Sequence, residues 1–341
     1  MEKSQFISTL TQQWRHKEKI MNDRLSIRLA AGSGPTFGVD DLACAAATFL
    51  GCWEDENLDV TWTPVHGGVA AMQAVLDDVV DVSYGGLGPV LKFRSEGEPV
   101  RVIVSMARGL AQNLVTQERF TDPAQLKGCS WALDGFGALS HHMARLLVAA
   151  LDIEESDIDW QAVGPPPERI DRLLNDTIDV SLIRVEEAIS LNQDPSNKLH
   201  TLLGFAELKQ LVPVQPHGVL GTTEKYEKEH AEELDRLTRG MIKASRALHG
   251  DFATFKKVYD NYVTIPVPAA DVETIWQQEH DTAGFAINGE LTKGHWKDEM
   301  ELFYKLNPNL PKVKREEVIA ENFVADALKA VGIVPGEDAP D

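Results

Sequence analysis

The chain of 341 residues contains only three cysteines, Cys44, Cys52 and Cys129. Their spacing fits neither a zinc site nor a disulfide framework, so we expect Cys44 and Cys129 to be buried thiols. No run of about 18 apolar residues occurs, and the sequence therefore predicts no membrane insertion. Basic residues are also scarce, since 33 Lys and Arg stand against 53 Asp and Glu, giving a net charge of −20. This charge disfavours nucleic acid and anionic lipid surfaces as partners.

Residues 1–24 are polar and carry charges of both signs. They lack the apolar segment of about 7–15 residues that a secretory signal needs. We therefore expect a cytoplasmic protein, or a periplasmic one whose presequence was replaced or removed. Regular patterning begins just after Met21, so Met1 and Met21 are both candidate start residues.

An internal repeat is the most informative feature of the chain. From Thr61 the sequence reads TWTPVHGGVAAMQAVLDDVVDVSYGG, and from Asp159 it reads DWQAVGPPPERIDRLLNDTIDVSLIR. Trp62 aligns with Trp160 and the triplet at 81–83 with the triplet at 179–181, at an offset of 98 positions (160 minus 62) without a gap. Each copy is typical of a strand, a turn, a helix and a short buried strand.

Strands and helices alternate around both copies with short connections. This order predicts an α/β protein of two lobes, each a mostly parallel sheet flanked by helices. We predict a discontinuous first lobe of 25–110 and 215–334 and a second lobe of 111–214. Residues 1–24 are then an N-terminal extension, and 335–341 a disordered tail.

One long amphipathic helix is also predicted in the second half of the chain, ending at Gly250. Its apolar positions follow helical spacing and should face the core. They are Leu234, Leu237, Met241, Ala244 and Leu248.

In open α/β sheets, ligands bind beyond the carboxyl ends of the strands, where helix N-termini converge. Glycine lets a ligand approach the backbone, amides at helix starts favour oxyanions, and arginine binds a carboxylate or sulfonate through two nitrogens. We predict ligand-binding roles for residues of these kinds at such positions. The first lobe supplies Ser33, Gly34, His66, Gly67, Gly68, Tyr84, Gly85 and Arg108, and the second supplies Phe136, Ser140, His141 and Arg184.

Each candidate also has a purely structural interpretation. Gly67 is compatible with a simple turn, His66 with a hydrogen bond to its own loop, and Ser140 with a helix cap. Arg108 and Arg184 are compatible with ion pairs to carboxylates in so acidic a chain.

No cofactor or metal is predicted. The segment from Gly135 to Gly137 lacks the third glycine of a dinucleotide fingerprint. The neighbouring side chains of His141 and His142 point about 100° apart on a helix and cannot both face one metal ion.

These stretches resemble the aliphatic-sulfonate and thiamine-pyrimidine type of solute-binding proteins, a branch of the type II periplasmic-binding fold. The similarity is carried by 65–86, 99–108, the segment GFGALSHHMARLLV after Lys127-Gly128, and 159–181, and it extends over about Leu25 to Val219. The resemblance implies two lobes joined by crossing segments near 108–114 and 212–221, with ligand between the lobes and closure by hinge bending.

The resemblance also implies a set of pocket residues. Arg184 is not among them and rests on its chemistry alone. The implied set is Ser33, His66, Gly67, Gly85, Arg108, Ser140 and His141.

The sequence departs from several members of that fold. Transport members are exported, whereas 1–24 is not an export signal. The pyrimidine synthases use a cysteine-rich iron motif that three scattered cysteines cannot supply. The aromatic desulfinases use a cysteine in the loop after the first strand, together with a histidine and an Arg-Gly-Gly sequence. In this chain that loop contains Ser33 instead of a cysteine, and Tyr84 replaces the arginine. Only His66 matches the desulfinase pattern.

Two functions follow. The first is a solute-binding protein that clamps a small anionic or aromatic-acid ligand, such as a sulfonate, a carboxylate or a pyrimidine-like compound, either with an ABC permease as partner or inside the cell. The alternative is a cytoplasmic enzyme on the same fold, decarboxylase-, desulfinase- or pyrimidine-synthase-like, that acts on a small acid. In the enzyme, His66 would be the general acid/base, with Arg108 and Arg184 as anion anchors.

Overall fold

The structure, a computed structural model, describes residues 24–32, 37–65, 67–108, 111–194, 196–212, 216–281, 284–336 and 338–340. Strands in this part of the chain form two five-stranded sheets, in the orders β2-β1-β3-β10-β4 and β7-β6-β8-β5-β9. The strands are β1 (Leu25–Ala31), β2 (Leu58–Pro64), β3 (Val82–Gly85), β4 (Val100–Arg108), β5 (Gln112–Gln117), β6 (Ser130–Leu133), β7 (Asp159–Ala162), β8 (Val180–Arg184), β9 (Leu199–Leu203) and β10 (Pro216–Thr223).

Helices cover both sheets. Their bounds within the described residues are α1 (Leu42–Phe49), α2 (Cys52–Asp55), α3 (Gly68–Leu76), α4 (Leu87–Ser95), α5 (Leu139–Ala150), α6 (Pro166–Leu174), α7 (Val185–Asn192), α8 (Phe205–Leu211), α9 (Glu224–Glu229), α10 (Ala231–Gly250), α11 (Phe252–Tyr262), α12 (Ala269–Asp281), α13 (Lys293–Leu306), α14 (Arg315–Val318) and α15 (Glu321–Val331).

The repeat seen in the sequence is confirmed as a structural repeat. In the first sheet β2 pairs in parallel with β1, and Trp62 lies opposite Leu29. In the second sheet β7 pairs in parallel with β6, and Trp160 lies opposite Trp131. The two tryptophans therefore occupy equivalent edge strands, and the helices α3 and α6 that follow them keep the same offset at both ends.

The two-lobed α/β fold is confirmed, and each sheet is mixed, with four strands that run in one direction and one that runs against them. Strand β10 runs antiparallel to both of its neighbours, β3 and β4. Strand β5 does the same between β8 and β9. The reason lies in the connectivity, because β5 and β10 are the strands that enter each sheet directly from the other lobe.

The chain passes between the lobes at two places. Strand β4 ends in the first sheet at Arg108, and β5 begins in the second sheet at Gln112. The return lies between α8 and β10, and it is shorter than predicted because Pro216 already pairs with Arg108 in the first sheet. The exact limits of the lobes stay a prediction, and 1–23 lie outside the described residues.

Helix α10 buries the apolar face that its spacing predicts. All five predicted positions have an exposed fraction of 0%, and the helix ends at Gly250 as expected. Each buried aliphatic side chain of this kind stabilises the fold by about 1.5–3 kcal/mol relative to its exposed state. The face packs against α1, α2 and α15 and so anchors the first lobe.

Two expectations about the chain termini and caps are wrong. Asp338, inside the predicted disordered tail, is buried, and its carboxylate accepts hydrogen bonds from the N–H groups of Asn288 and Gly289. Charge-assisted bonds of this type hold the segment in place.

Ser140 does not cap α5, because the N-cap position is Ala138.

No helix in the described part of the chain has the length and apolar character needed to cross a membrane.

Candidate functional site

The carboxyl ends of β1, β2 and β3 meet at glycines. The Gly67 N–H donates to the Gly32 carbonyl oxygen (2.8 Å), and the Gly32 N–H donates to the Tyr84 carbonyl oxygen (3.0 Å). A Cβ at Gly32 would lie 3.0 Å from the backbone nitrogen of Gly68, and a Cβ at Gly85 would lie 3.2 Å from the Cα of Gly68. Only glycine permits this approach of three loops, which brings together Gly67, Gly68 and Gly85 as predicted.

Two helices begin at this glycine cluster. Helix α3 starts at Gly68 and α4 at Leu87, just after β2 and β3. The first amide groups of a helix have no partner within the helix, and the helix dipole favours negative charge beside them. The edge of the first sheet is therefore suited to an oxyanion.

Tyr84 does not join this surface. Its side chain is 1% exposed, and its hydroxyl donates to the Asp40 carbonyl oxygen (2.9 Å) in the core of the first lobe. Burial raises its pKa well above the usual range, so the phenol stays neutral. The placement of Tyr84 in the core gives no support to its predicted ligand-binding role, because the side chain lies on a covered face of the sheet.

Three other candidates of the first lobe, Ser33, Gly34 and His66, lie outside the described residues. Arg108 is the last residue of β4 and pairs with Pro216, and its side chain is likewise outside the described part. Their roles stay predictions.

In the second lobe, the loop after β6 is held by two side chains of α5. Ser140 is buried and its hydroxyl oxygen accepts a hydrogen bond from the Asp134 N–H (3.0 Å). The His141 Nδ1 atom accepts one from the Gly137 N–H (3.0 Å), which leaves the ring proton on Nε2. Burial, followed by the nearby charge of Arg145, lowers the pKa of His141, so that the imidazole is neutral at pH 7.

An aromatic surface covers this loop. Phe136 is 66% exposed and meets the His141 ring edge-on, with 5.4 Å between ring centroids. The His141 ring in turn meets Trp160 edge-on at 5.6 Å. An exposed phenyl ring beside a neutral imidazole offers an apolar face and one N–H donor to a ligand. Trp160 was not among the predicted site residues, although its match to Trp62 in the internal repeat was a signal in the sequence.

Arg184 lies at the same edge, at the end of β8, but within a shell of carboxylates. Its guanidinium is 4.0 Å from the Asp41 carboxylate of the first lobe, and a Cβ at Gly38 would meet its side chain at 2.9 Å. Burial acts to lower the pKa of Arg184, yet Asp41, Glu186 and Glu187 raise it above its usual value. Arg184 is therefore an interlobe tie rather than an open anion-binding group.

A second contact joins the lobes beside Arg184. The Ala111 N–H, in the first crossing segment, donates to the Asp40 carboxylate (2.7 Å). Asp40 and Asp41 lie in the turn before α1, so this turn of the first lobe contacts the second lobe. The predicted residues Arg184 and Ser140 thus lie at an edge that directly contacts the first lobe.

Arg169 is a site residue that the sequence analysis missed. It is 3% exposed and donates to the Ser181 hydroxyl (3.0 Å) and the Leu182 carbonyl oxygen (2.5 Å). Its guanidinium also lies 3.3 Å from the Asp134 carboxylate, directly under the Phe136 loop. The available signal was a charged residue sharing the buried face of α6 with Leu173. Arg169 fixes the loop that carries the aromatic surface.

A cavity of about 560 Å³ opens at the other end of the second sheet, lined among others by Gln117, Leu174 and Lys198. Strand β5 runs from Gln112, opposite Arg184, to Gln117, so this cavity lies at the edge away from the first lobe. It has no part in the site between the lobes.

Among the described residues, no group of three or more His, Cys, Asp or Glu side chains is arranged to hold a metal ion. The three cysteines are free and buried, as predicted for Cys44 and Cys129. Burial raises the pKa of each thiol, that of Cys129 to about 12, so none is a thiolate at neutral pH.

The comparison with known families agrees with this architecture. The family model described as NMT1/THI5 like matches residues 42–251, more than half of the chain. The chain belongs to the NMT1/THI5-like family. The matched region contains both copies of the repeat.

Three solved structures show how similar the fold is. A protein from Bordetella bronchiseptica RB50 has a TM-score of 0.74 and 17% identity, covering 90% of this chain and 98% of that chain. The alkanesulfonate-binding protein SsuA from Xanthomonas axonopodis pv. citri, bound to MOPS, has a TM-score of 0.65 and 17% identity, covering 89% and 97%. The periplasmic nitrate-binding protein NrtA from Synechocystis PCC 6803 has a TM-score of 0.68 and 14% identity, covering 94% and 92%.

No curated protein matches the chain at the level of sequence. The resemblance drawn from the sequence is confirmed, since the family and the periplasmic-binding fold are those expected. The expected cytoplasmic location finds no support, because the relatives of this fold include periplasmic binding proteins.

Proposed function

We propose that the protein is a solute-binding protein that closes its two lobes on a small anionic or aromatic-acid ligand. The observation that carries this proposal is the pairing of two unlike edges that touch through Arg184 and Asp41. The first edge is the glycine cluster with two helix starts, and the second is the aromatic surface with the His141 donor.

The chemistry of the two edges favours one class of ligand. Backbone amides at the starts of α3 and α4 suit a sulfonate or carboxylate oxygen. Phe136 and His141 suit an apolar or aromatic body attached to that anion. The relative from Xanthomonas binds alkanesulfonates and the one from Synechocystis binds nitrate, so small anions are the ligands to test first.

An ABC permease and a periplasmic location belong to the same proposal. The ligand-binding component of an ABC-type import system from Staphylococcus aureus shares the fold, with a TM-score of 0.67. Cell fractionation of the native gene product, followed by co-purification with the permease of its own organism, tests both points.

The alternative, an enzyme on this fold, makes a different prediction. The buried thiols exclude Cys44, Cys52 and Cys129 as nucleophiles at neutral pH, so catalysis would depend on His66. A binding protein returns its ligand unchanged, whereas an enzyme turns it over.

The decisive experiment is a thermal-shift screen with alkanesulfonates, aromatic carboxylates, nitrate and pyrimidines. A true ligand at a hundredfold excess over its Kd stabilises the fold by about 2.7 kcal/mol, which raises the melting temperature by several degrees. Each hit is then incubated with the protein and analysed by mass spectrometry. Unchanged compound supports the proposal, chemical conversion establishes the enzyme, and the absence of stabilisation by every anion overturns the anionic ligand class.

A further inference from the structure

Helix α13 packs against both lobes. Trp296, Met300, Phe303 and Tyr304 belong to an apolar cluster of the first lobe. Leu306, at the end of the same helix, belongs to the core of the second lobe. Apolar burial on both sides means that the lobes cannot separate here without exposing one of these contacts to water.

Polar contacts hold both ends of this arrangement. The Tyr304 hydroxyl lies 3.0 Å from the Ser95 hydroxyl in the first lobe. Arg145, on α5 of the second lobe, donates to the Leu306 carbonyl oxygen (2.6 Å). The helix is therefore a third connection between the lobes, in addition to the two crossing segments.

Two titratable side chains meet where α13 contacts α5. The His142 Nε2 atom lies 4.0 Å from the Glu299 Oε1 atom, and the side chains are 16% and 3% exposed. His142 Nε2 and Glu299 Oε2 are buried and have no hydrogen-bond partner among the described residues. Burying a polar atom without a hydrogen-bond partner costs free energy, so the protonation state of this pair affects the stability of the contact.

The surroundings of the pair push both groups toward their neutral forms. Burial raises the pKa of Glu299 to about 8. Burial, with smaller effects of Arg145 and His141, lowers the pKa of His142 to about 4. The ring of Phe303 lies beside the His142 ring on the α13 side. On the α5 side, the guanidinium of Arg145 forms an ion pair with Glu155.

We propose that α13 holds the two lobes together and that the buried pair of His142 and Glu299 carries one proton at its contact with the second lobe, so that closure of the lobes takes up a proton. This inference rests on the proposed function, because proton uptake on closure requires lobes that open and close. The proton occupies the pair whichever of the two atoms carries it.

The pair is also one residue away from the candidate site. His141 faces the aromatic surface and His142 faces α13, on the same first turn of α5. An anion bound near His141 would oppose a negative charge on Glu299 and so hold the proton of the pair more tightly. Ligand binding and proton uptake are therefore expected to reinforce one another.

The direction of the pH effect follows from the two states. Opening hydrates Glu299 and returns its pKa toward 4.5, whereas closure raises it to about 8. The closed form is then favoured most at low pH by this residue, and the advantage is lost as the pH rises through about 8. His142 has the opposite effect, because closure lowers its pKa. It disfavours the closed form only as the pH falls below 6.5, the usual pKa of histidine. Between pH 6.5 and 8 the ratio of closed to open protein should fall about tenfold per pH unit.

The experiment measures the distance between the lobes without any ligand. Spin labels are attached at Val79→Cys in the first lobe and Leu174→Cys in the second, both exposed positions, while the native cysteines are buried. Distance distributions are recorded by pulsed electron resonance from pH 6 to 9. The variants are Glu299→Gln and His142→Gln, and the matched control is Glu301→Gln, an exposed carboxylate on the same helix.

We expect the native protein and Glu301→Gln to shift to longer distances as the pH rises from 6.5 to about 8, with little further change above that pH. Glu299→Gln should lose this shift, and His142→Gln should move its midpoint. A distance that does not change with pH, or an unchanged shift in Glu299→Gln, overturns the inference. Because no ligand is added, these outcomes are independent of whether the cleft binds a solute.

Discussion

Asp81 and Asp179 make the same contact in the two halves of the chain. The Asp81 carboxylate accepts a hydrogen bond of 2.7 Å from the Arg28 N–H, and the Asp179 carboxylate accepts one of 2.7 Å from the Ser130 N–H. In each case the carboxylate precedes an inner strand and the donor lies on the neighbouring parallel strand. The repeat therefore preserves a tie between strands in addition to an apolar pattern.

Replacing Asp179 by Ala should destabilise the second lobe. The change leaves the Ser130 N–H without its acceptor and removes one of the two carboxylates that bind Arg119, at a cost on the order of 2 kcal/mol in the free energy of unfolding. Urea denaturation measures this loss. Glu98→Ala, an exposed carboxylate, should change stability by less than about 0.5 kcal/mol. Equal effects of the two variants would contradict the role of Asp179.

The contribution of Asp179 should also depend on pH. Burial acts to raise the pKa of this carboxyl, but the Ser130 hydrogen bonds and Arg119 lower it below its usual value of 3.8. The stabilisation is thus present above about pH 4 and lost as the pH falls through the lower folded-state pKa. Urea midpoints of the native protein and Asp179→Ala should converge in acid. A gap that stays constant as the pH falls below 3.8 would argue against an ionised Asp179.

Gly38→Ala should weaken the contact between the lobes. Its Cβ would lie 2.7 Å from the Glu186 Oε1 atom and 2.9 Å from the Arg184 Cδ atom, and Glu186 is fully buried and cannot swing aside freely. We expect a larger radius of gyration by small-angle scattering and about tenfold weaker ligand binding. Gly250→Ala, where nothing lies within 4 Å, is the control and should leave both quantities unchanged. Tight binding by Gly38→Ala would show that the lobes close without this contact.

Phe136→Ala tests the aromatic surface. The ring is 66% exposed, so its removal should hardly change the melting temperature. It should weaken binding of an aromatic acid by about tenfold, since an aromatic contact contributes about 0.5–1.5 kcal/mol beyond the buried area. Titration calorimetry measures the affinity. Leu174→Ala, an apolar side chain 46% exposed at the opposite edge of the sheet, should have no effect. Equal losses in the two variants would remove Phe136 from the site.

The cysteines give a test of burial that needs no ligand. Cys44 and Cys129 are 0% and 3% exposed, and burial raises both pKa values. A thiol reagent at pH 8 should therefore label neither residue in the folded protein and all three cysteines after unfolding. Rapid labelling of native Cys44 would contradict the packing of α1 against α10.

Much of the fold follows from local patterns. The 98-residue offset, the apolar spacing of α10 and the alternation of β1 each depend on residues close together in sequence, whose periods of 3.6 and 2 are set by the backbone. Glycines at strand ends likewise predicted that Gly67, Gly68 and Gly85 would lie together at one edge of the first sheet. Strands β5 and β9 were missed, because each is recognisable only by the neighbours that it gains from distant parts of the chain.

The sequence by itself thus determined that this protein has two related α/β halves with glycine-lined strand ends, because hydrophobic period and turn chemistry act over a few residues. Only the tertiary structure decided which side chains face the site. It placed Tyr84 in the core, surrounded Arg184 with carboxylates that include Asp41 of the other lobe, joined Arg169 to Asp134 in the Phe136 loop, and brought Glu299 to His142. These outcomes depend on contacts between residues far apart in the chain, and on the burial that such contacts create, which no local pattern records.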